Sequence, residues 1–283
     1  MSAHESNHQS ILNLITKPRA VAFALKQTFL SYRNWKNPYL AFRFFLQAHS
    51  HRNAENMSRF HLGPVSFYVR PIDWFAFEEI ISSREYRFIT TLFQKSSPEI
   101  IIDLGANVGL FSLYALSLWP QAQVHSLEPN LSTYNVLHHN QKINPGLNWH
   151  TYQYAVWEQD GEISFETGKV STSSRVVSNE SGEKVPAITL DTFFSNYVNS
   201  SVLSLVKIDI EGAEEAVLRS STHLLGRIQN LVIEVHPEHC DQDYVISVLR
   251  SSFKYLYQLS GRRSGKPLLL ACRDRQPFLL CCL

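Results

Sequence analysis

From Glu99 onwards, short continuous apolar runs alternate with stretches in which apolar residues recur at helical spacing. Such runs are typical of buried parallel strands, and the stretches between them are typical of amphipathic helices. The pattern predicts parallel strands at about 99–103, 123–128, 149–155, 203–209 and 230–235. It predicts intervening helices at about 108–118, 130–142, 213–225 and 241–251. Two extended runs at 255–259 and 267–272 predict a closing antiparallel hairpin, so the expected fold is α/β with a mainly parallel sheet.

Residues 1–97 have a different pattern and are expected to form a mainly helical N-terminal extension that packs on the α/β domain and covers the substrate. Apolar residues recur at helical spacing up to about residue 60, with a break near Pro38. Alternation over 61–70 predicts a short strand or hairpin arm. Asp73 is expected to cap a helix that continues to about Gln94.

Composition and charge limit the classes of partner. The 283 residues are 44% hydrophobic and 18% charged, which favours a globular core over disorder. The net charge of +1 gives no case for nucleic-acid binding, although residues 1–60 hold eight basic and two acidic side chains. We interpret this basic segment as a solvated helical face, and contact with an anionic membrane surface is the alternative. The chain shows no transmembrane run and no secretory signal, which predicts a cytoplasmic protein with free thiols at its four cysteines.

The first strand ends in a turn that predicts a cofactor site. Asp103 ends the strand, the turn Gly105-Ala106-Asn107-Val108-Gly109 follows, and a helical pattern begins at once. Glycines let the backbone approach a ligand closely, and the start of a helix offers unpaired N–H donors. Glu128 ends the second strand, where a carboxylate can accept both hydroxyls of a ribose. The expected ligand therefore contains an adenosine-type group.

Asn107 narrows the choice of that ligand. A dinucleotide fingerprint has a glycine where this turn has Asn107, whose side chain crowds the approach of a pyrophosphate. Asp103 can instead pair with a cationic group. S-adenosylmethionine (SAM) fits because it carries a ribose, an ammonium and a sulfonium but no phosphate. NAD and a plain strand–turn–helix without a ligand are the alternatives.

Four ionisable residues close the fourth and fifth predicted strands at the same edge of the sheet. Asp209 and Glu211 stand two positions apart, as do Glu234 and His236, and residues two apart on a strand share a face. We predict that His236 is a general base toward a substrate hydroxyl, with Asp209 or Glu211 orienting it. A divalent cation held by these groups and a purely structural role are the alternatives. We expect no metal.

Five short motifs follow one another in this part of the chain. They read DLGANVGLFS, LEPN, AITLD, VKIDIEGAE and IEVH, beginning at residues 103, 127, 187, 206 and 233. Together, over about residues 98–260, they resemble the FkbM family of SAM-dependent methyltransferases. The resemblance implies a class I methyltransferase (Rossmann-like) fold with seven strands in the order 3-2-1-4-5-7-6, flanked by helices. Residues 98–283 are then the methyltransferase domain.

The resemblance also implies the cofactor and the reaction. SAM is the expected cofactor, and its expected contacts are Asp103, Gly105, Ala106, Asn107, Gly109, Glu128, Pro129 and Asn130. The expected reaction is O-methylation of a hydroxyl on a sugar, glycan-related or secondary-metabolite acceptor. Candidates on the substrate side are Asp209, Glu211, Glu234 and His236. N-methylation of an amine and a non-catalytic protein that binds SAM or a nucleotide are the alternatives.

Overall fold

The computed structural model describes residues 18–31, 38–50, 56–166, 175–176, 182–259 and 266–276. Its strands are β1 (Ser58–Leu62), β2 (Val65–Val69), β3 (Ile100–Leu104), β4 (Gln123–Leu127), β5 (Trp149–Tyr152), β6 (Ala155–Val156), β7 (Gly161–Glu166), β8 (Arg175–Val176), β9 (Glu183–Ile188), β10 (Leu205–Ile208), β11 (Asn230–Glu234), β12 (Tyr255–Leu259) and β13 (Leu268–Cys272). Its α-helices are α1 (Pro18–Ser31), α2 (Pro38–Ser50), α3 (Trp74–Phe77), α4 (Ile89–Leu92), α5 (Leu110–Leu118), α6 (Leu131–Lys142), α7 (Leu190–Tyr197), α8 (Glu214–Ser221) and α9 (Gln242–Ser252).

The largest sheet has seven strands in the order β5-β4-β3-β10-β11-β13-β12. The first five strands in this order are parallel to one another, and β13 is antiparallel to both β11 and β12. Numbered along the α/β domain, the order is 3-2-1-4-5-7-6, so the predicted fold class is confirmed. Strand order reverses between β3 and β10, which is where open α/β sheets bind their ligands.

Both faces of this sheet are buried, because alternate residues of a strand point to opposite sides. Ile101 belongs to an apolar cluster that includes residues of α5 and α6. Its neighbours Ile100 and Ile102 belong to a second cluster that includes residues of α7, α8 and α9. Burial on both sides explains why these strands are almost continuously apolar in sequence.

The N-terminal region shares the first of these clusters. Helices α1 and α2 pack against each other, and β1 pairs with β2 in an antiparallel hairpin. Phe44 and Phe77 are fully buried and lie in the same cluster as Phe111 of α5. Asn140 of α6 accepts a hydrogen bond from the Tyr68 N–H at 2.6 Å and donates to the Tyr68 carbonyl at 3.0 Å. The N-terminal region is therefore joined to the α/β domain by a continuous core.

The single helix predicted from Asp73 to about Gln94 is wrong. The segment consists of short helical pieces, namely a 3₁₀ turn (Pro71–Asp73), α3, a π turn (Glu78–Ser82), a second 3₁₀ turn (Glu85–Phe88) and α4. Arg84 adopts a left-handed φ of 53°, which a continuous right-handed helix does not allow. The Asp73 side chain makes no capping hydrogen bond to α3. It binds Arg70 instead, with Nη2–Oδ1 and Nε–Oδ2 distances of 2.9 and 3.0 Å.

A smaller sheet with the order β6-β9-β7-β8 follows the third strand of the large sheet. The strand predicted at 149–155 is divided between the two sheets, because β5 ends at Tyr152 and β6 begins at Ala155. None of the helices within the described ranges combines the length and the apolar character needed to cross a bilayer. Cys240 and Cys272 are free thiols, as expected, and the cysteines at 281 and 282 lie outside the described residues.

Candidate active site

A buried aspartate supports the turn after β3 from behind. Asp103 is fully buried, and its Oδ2 accepts a hydrogen bond of 2.7 Å from Ser112 Oγ. Lys207 stands beside Asp103 in the β10–β3 register, and its Nζ lies 3.2 Å from Asp103 Oδ1. The same Nζ donates to the Gly105 carbonyl at 3.2 Å. The charge of Asp103 is thus compensated inside the protein, and Asp103 does not line the cleft described below.

Glycine is required at two positions of the turn. Gly105 has a φ of +73°, and a Cβ built on it would lie 1.8 Å from the backbone oxygen of Asp209. Gly109 has a φ of +88°, and a Cβ there would lie 2.7 Å from Leu137 Cδ1 and 2.8 Å from Trp149 Cζ2. No side chain fits at either place. Both glycines are therefore needed for the close approach of neighbouring elements, whether or not a ligand is bound.

Glu128 follows β4 and accepts hydrogen bonds from two backbone N–H groups, one of which belongs to the turn. Its Oε2 accepts from the Asn107 N–H and its Oε1 accepts from the Asn130 N–H, each at 3.0 Å. Asn107 has a left-handed φ of 52°, which asparagine tolerates better than most residues. Burial raises the pKa of Glu128 to about 7, although the two backbone hydrogen bonds and Lys207 oppose the rise. Each oxygen retains a lone pair, so Glu128 can also accept hydrogen bonds from ligand hydroxyls.

A cleft opens where the strand order reverses. The apolar wall comes from the N-terminal region, the turn, α5 and the small sheet, through Ala76, Ile80, Tyr86, Ala106, Phe111, Ala155, Val156 and Phe165. Within the described residues, the charged side chains that line the cleft are Glu79, Glu128, Asp209, Glu211 and Lys207. The cleft is therefore acidic, and it favours a cationic or neutral ligand over a phosphate.

Asp209 and Glu211 line the cleft, and the carboxylate of each contacts a buried cationic side chain. Their side chains are 22% and 20% exposed. Lys207 Nζ lies 3.5 Å from Asp209 Oδ2. Burial would lower the pKa of Lys207, but Asp103 and Asp209 outweigh burial and raise this pKa above its usual value. Lys207 therefore keeps its charge between the two carboxylates.

His236 is the cation behind Glu211, and it is fully buried. Its Nδ1 makes a hydrogen bond of 2.7 Å with Glu214 Oε1. Its Nε2 lies 3.0 Å from Glu211 Oε2, a contact that has the distance of an ion pair without the angles of a hydrogen bond. Burial alone would lower the pKa of His236, but its contacts with Glu211 and Glu214 raise it to about 10. The imidazole is therefore a cation at neutral pH and is engaged at both nitrogens.

Comparison with known proteins places the chain in a family. Residues 103–263, more than half of the chain, match the methyltransferase FkbM domain. The chain belongs to the FkbM methyltransferase family. The resemblance seen in the five motifs is therefore confirmed, and the matched region begins at Asp103 and contains every predicted cofactor and substrate-side residue.

Two curated relatives are methyltransferases by name. The hexuronic acid methyltransferase AglP of Haloferax volcanii is 28% identical over 142 residues, which are 49% of this chain and 56% of the relative. Methyltransferase 1 of Beauveria bassiana is 24% identical over 158 residues, which are 48% of this chain and 64% of the relative. The matched parts thus span less than two thirds of the length of either relative.

Solved structures are similar to this chain at lower sequence identity than the curated relatives. The N-terminal domain of EvdMO1 with S-adenosylhomocysteine (SAH) bound has a TM-score of 0.42 and 13% identity, covering 68% of this chain and 81% of that one. The tRNA (uracil-54, C5)-methyltransferase of Pyrococcus abyssi in complex with SAH also has a TM-score of 0.42 and 13% identity, covering 77% of this chain and 44% of that one. The strand order of this FkbM-family chain remains the basis of its fold assignment.

The structure brings together the four ionisable residues predicted after the fourth and fifth strands. Asp209, Glu234 and His236 each offer a ligand atom, and these atoms lie within 4.8 Å of one another. Glu211 joins the group through its contact with His236. A divalent cation bound to His236 Nε2 would have to displace the proton that the imidazole carries at neutral pH. The absence of a metal therefore stays an expectation, which treatment with a chelator tests.

The predicted cofactor residues divide into those that line the cleft and those that support it. Gly105, Ala106, Asn107, Glu128 and Pro129 line the cleft, whereas Asp103, Gly109 and Asn130 do not. The Asn130 side chain instead caps α6, because its Oδ1 accepts from the Thr133 N–H at 2.9 Å.

Two charged residues of this site were missed in the sequence. Lys207 and Glu214 lie within the motif VKIDIEGAE, on either side of Asp209 and Glu211. Lys207 stands two positions before Asp209, so strand periodicity places the two on the same face. Glu214 lies three positions after Glu211, and nothing in that spacing indicates that both reach one imidazole.

Proposed function

We propose that this FkbM-family protein is a SAM-dependent methyltransferase that methylates a hydroxyl oxygen of a sugar, glycan-related or secondary-metabolite acceptor. The observation that carries the proposal is the acidic cleft lined by Glu128, Asp209 and Glu211 at the reversal of strand order. Family membership supports the class of reaction. The name of the relative AglP, a hexuronic acid methyltransferase, supports an acceptor of the sugar class.

The residues present fit SAM. Glu128 is anchored by backbone N–H groups and keeps lone pairs for the ribose hydroxyls. The excess of carboxylates along the cleft attracts a ligand with a net positive charge and repels the pyrophosphate of a dinucleotide. When bound, SAM supplies a methyl group that its sulfonium already activates for displacement.

Asp209 and Glu211 are the groups we assign to the acceptor. Both line the cleft and remain partly exposed, so their oxygens can accept hydrogen bonds from a hydroxyl. The protein then has to align the acceptor oxygen, exclude water and take up the proton that the hydroxyl loses, which the carboxylate of Asp209 or Glu211 can accept. Tyr86 and Phe111 add an apolar wall that limits the access of water. A carboxylate acceptor is disfavoured, because it would face like charges.

His236 fits a positioning role better than that of a general base. A base must first lose its proton, and the pKa of about 10 keeps this imidazole protonated at neutral pH. It is also fully buried and does not line the cleft. Its contact with Glu211 suits it to hold that carboxylate toward the acceptor. The base role predicted from the sequence stays a prediction that kinetics can test.

Cofactor and acceptor are tested by binding and by transfer. Calorimetry should give heat of binding with SAM and SAH and none with NAD. Methyl transfer from labelled SAM should then be measured on neutral sugars, uronic acids and amines, with the methylated atom located by NMR. We expect transfer to hydroxyl oxygens of neutral acceptors. A chain that binds NAD but neither SAM nor SAH would refute the proposal, and one that binds SAM without any transfer would be the non-catalytic alternative.

The role of His236 is tested by a double-mutant cycle with Glu211. If His236 positions Glu211, then His236→Asn and Glu211→Gln should raise the KM for the acceptor by similar factors, and the double variant should be no worse than either. Their affinity for SAH should stay within about twofold of the unmodified protein, which a general loss of structure would not allow. If His236→Asn instead lowers kcat while Glu211→Gln leaves it unchanged, His236 is the base.

Amine methylation is the second candidate, and the same two carboxylates favour it. Asp209 and Glu211 would bind an ammonium as readily as they accept from a hydroxyl. The amine arm of the transfer assay separates the two. Product methylated at nitrogen, with neutral sugars unmodified, would replace the hydroxyl assignment.

A further inference from the structure

We infer that the exposed face of α1 binds the surface of an anionic phospholipid membrane. This face consists of Pro18, Ala22, Leu25 and Phe29, all of which are exposed. They recur every three or four positions, so they form one stripe along the helix. The inference does not depend on the proposed reaction, because the stripe contains no residue of the cleft.

Burial on the opposite side of α1 shows that the stripe is a second apolar face. Ala20, Ala24 and Gln27 are buried, and they hold the helix against the rest of the protein. Leu25 and Phe29 are 57% and 73% exposed. Large apolar side chains this exposed, on the side of the helix that faces away from the core, are typical of an interaction surface.

The start of α2 extends this apolar surface. Tyr39, its second residue, is 63% exposed. With Leu25 and Phe29, it is among the three most exposed large hydrophobic side chains of the described residues. Single hydrophobic residues scattered over a surface need no explanation. Here, however, the three most exposed large hydrophobic side chains all lie on two helices that pack against each other, and this concentration indicates an interaction surface.

The charge around the stripe identifies the partner. Arg19 and Lys26 are exposed on α1 and stand next to the stripe, seven positions apart. Neither α1 nor α2 contains an aspartate or a glutamate. A second copy of the chain would bring these like charges together, whereas anionic headgroups complement them. Apolar side chains flanked by lysine and arginine are typical of helices that lie in a membrane interface.

The test is co-sedimentation of the full chain with vesicles of two compositions. One set is phosphatidylcholine alone, and the other contains about 30% phosphatidylserine, whose charge attracts basic segments. We expect the full chain to sediment with the anionic vesicles at least about fivefold more than with the neutral ones. Raising the salt concentration to about 0.5 M should abolish most of this difference, because it screens the charges.

Matched double variants test whether vesicle binding depends on the stripe or on exposed apolar side chains in general. Leu25→Ser with Phe29→Ser removes two large apolar groups of the stripe and should lower vesicle binding at least about fivefold. Leu118→Ser with Val202→Ser removes two exposed apolar groups elsewhere, at 37% and 45% exposure, and should leave binding unchanged. Circular dichroism and SAH affinity should be the same in all three proteins, since none of these side chains lines the cleft.

Several results would overturn the inference. They are absence of binding to anionic vesicles, equal binding to both vesicle compositions, and equal loss in the two double variants. Sedimentation velocity without vesicles provides a further check. If the unmodified chain forms a dimer that Leu25→Ser with Phe29→Ser dissociates, and it does not bind vesicles, the stripe is an interface between copies of this chain.

Discussion

Replacing Glu128 by glutamine should change how the stability of the protein depends on pH. Glu128 is buried, and burial raises its pKa from an ordinary 4.5 to about 7. Between these two pH values the folded chain holds a proton that the unfolded chain has released. Stability therefore falls as the pH rises through this window, because the folded state binds more protons than the unfolded state. Glutamine does not ionise, so the variant lacks this decline.

The magnitude follows from the difference in pKa. A pKa that is higher by about 2.5 in the folded state corresponds to about 3 kcal/mol of destabilisation once the pH exceeds 7. About 2 to 3 kcal/mol of this develops between pH 5 and pH 8. Glutamine also places an N–H group near the two backbone N–H groups of Asn107 and Asn130, which costs stability. That cost is the same at both pH values and cancels when the two are compared.

The assay is urea unfolding of the unmodified protein and of Glu128→Gln at pH 5 and pH 8. The unmodified protein should lose about 2 to 3 kcal/mol relative to the variant between the two conditions. Glu158→Gln is the control, because Glu158 is exposed, and it should follow the unmodified protein at both pH values. If Glu128→Gln has the same pH dependence as the unmodified protein, Glu128 is ionised throughout, and the argument from its burial is wrong.

Three further results are expected. The affinity for SAH should rise about tenfold from pH 6 to pH 8, because ionised Glu128 is the better acceptor for the ribose hydroxyls, and calorimetry of Glu128→Gln should show no such rise. Gly105→Ala should destabilise the protein by about 3 kcal/mol or more, since its Cβ would lie 1.8 Å from the Asp209 oxygen, whereas Gly146→Ala meets open space and should unfold in urea like the unmodified protein. Methyl transfer should survive treatment with EDTA, because a cation at His236 Nε2 would have to displace the proton that the imidazole carries at neutral pH, and complete loss that Mg²⁺ restores would contradict this.

The order of the large sheet was predictable because its strands are marked by near-continuous apolar runs, and the family resemblance supplied their arrangement. Both faces of the sheet are covered, and burial on both sides is what such runs signal. The break in the segment after Asp73 was not predictable in the same way. It depends on the left-handed backbone of Arg84, and arginine carries no local preference for that conformation.

At the cofactor turn, the spacing of residues in the sequence predicted the position of one acidic side chain but not the partner of another. Glu128 was predicted to face a ligand, and the structure places it in the wall of the cleft. Asp103 was predicted as a partner for a cationic group of the cofactor, yet it is buried against Lys207. The two residues are 104 positions apart and meet because β3 and β10 are neighbours. A charge pair across neighbouring strands depends on register, which the pattern of one strand does not reveal.

The sequence alone overstates the negative charge of the site, because it does not show which cations contact the carboxylates. Read in order, the motif VKIDIEGAE and the later IEVH contribute four carboxylates to one edge of the sheet. In the structure, Lys207 lies behind Asp209 and protonated His236 lies behind Glu211. Each buried cation reduces the repulsion between carboxylates that would otherwise oppose their assembly at one edge. The positive charge of His236 therefore offsets the negative charge of Glu211, and the role of His236 as a base stays a prediction.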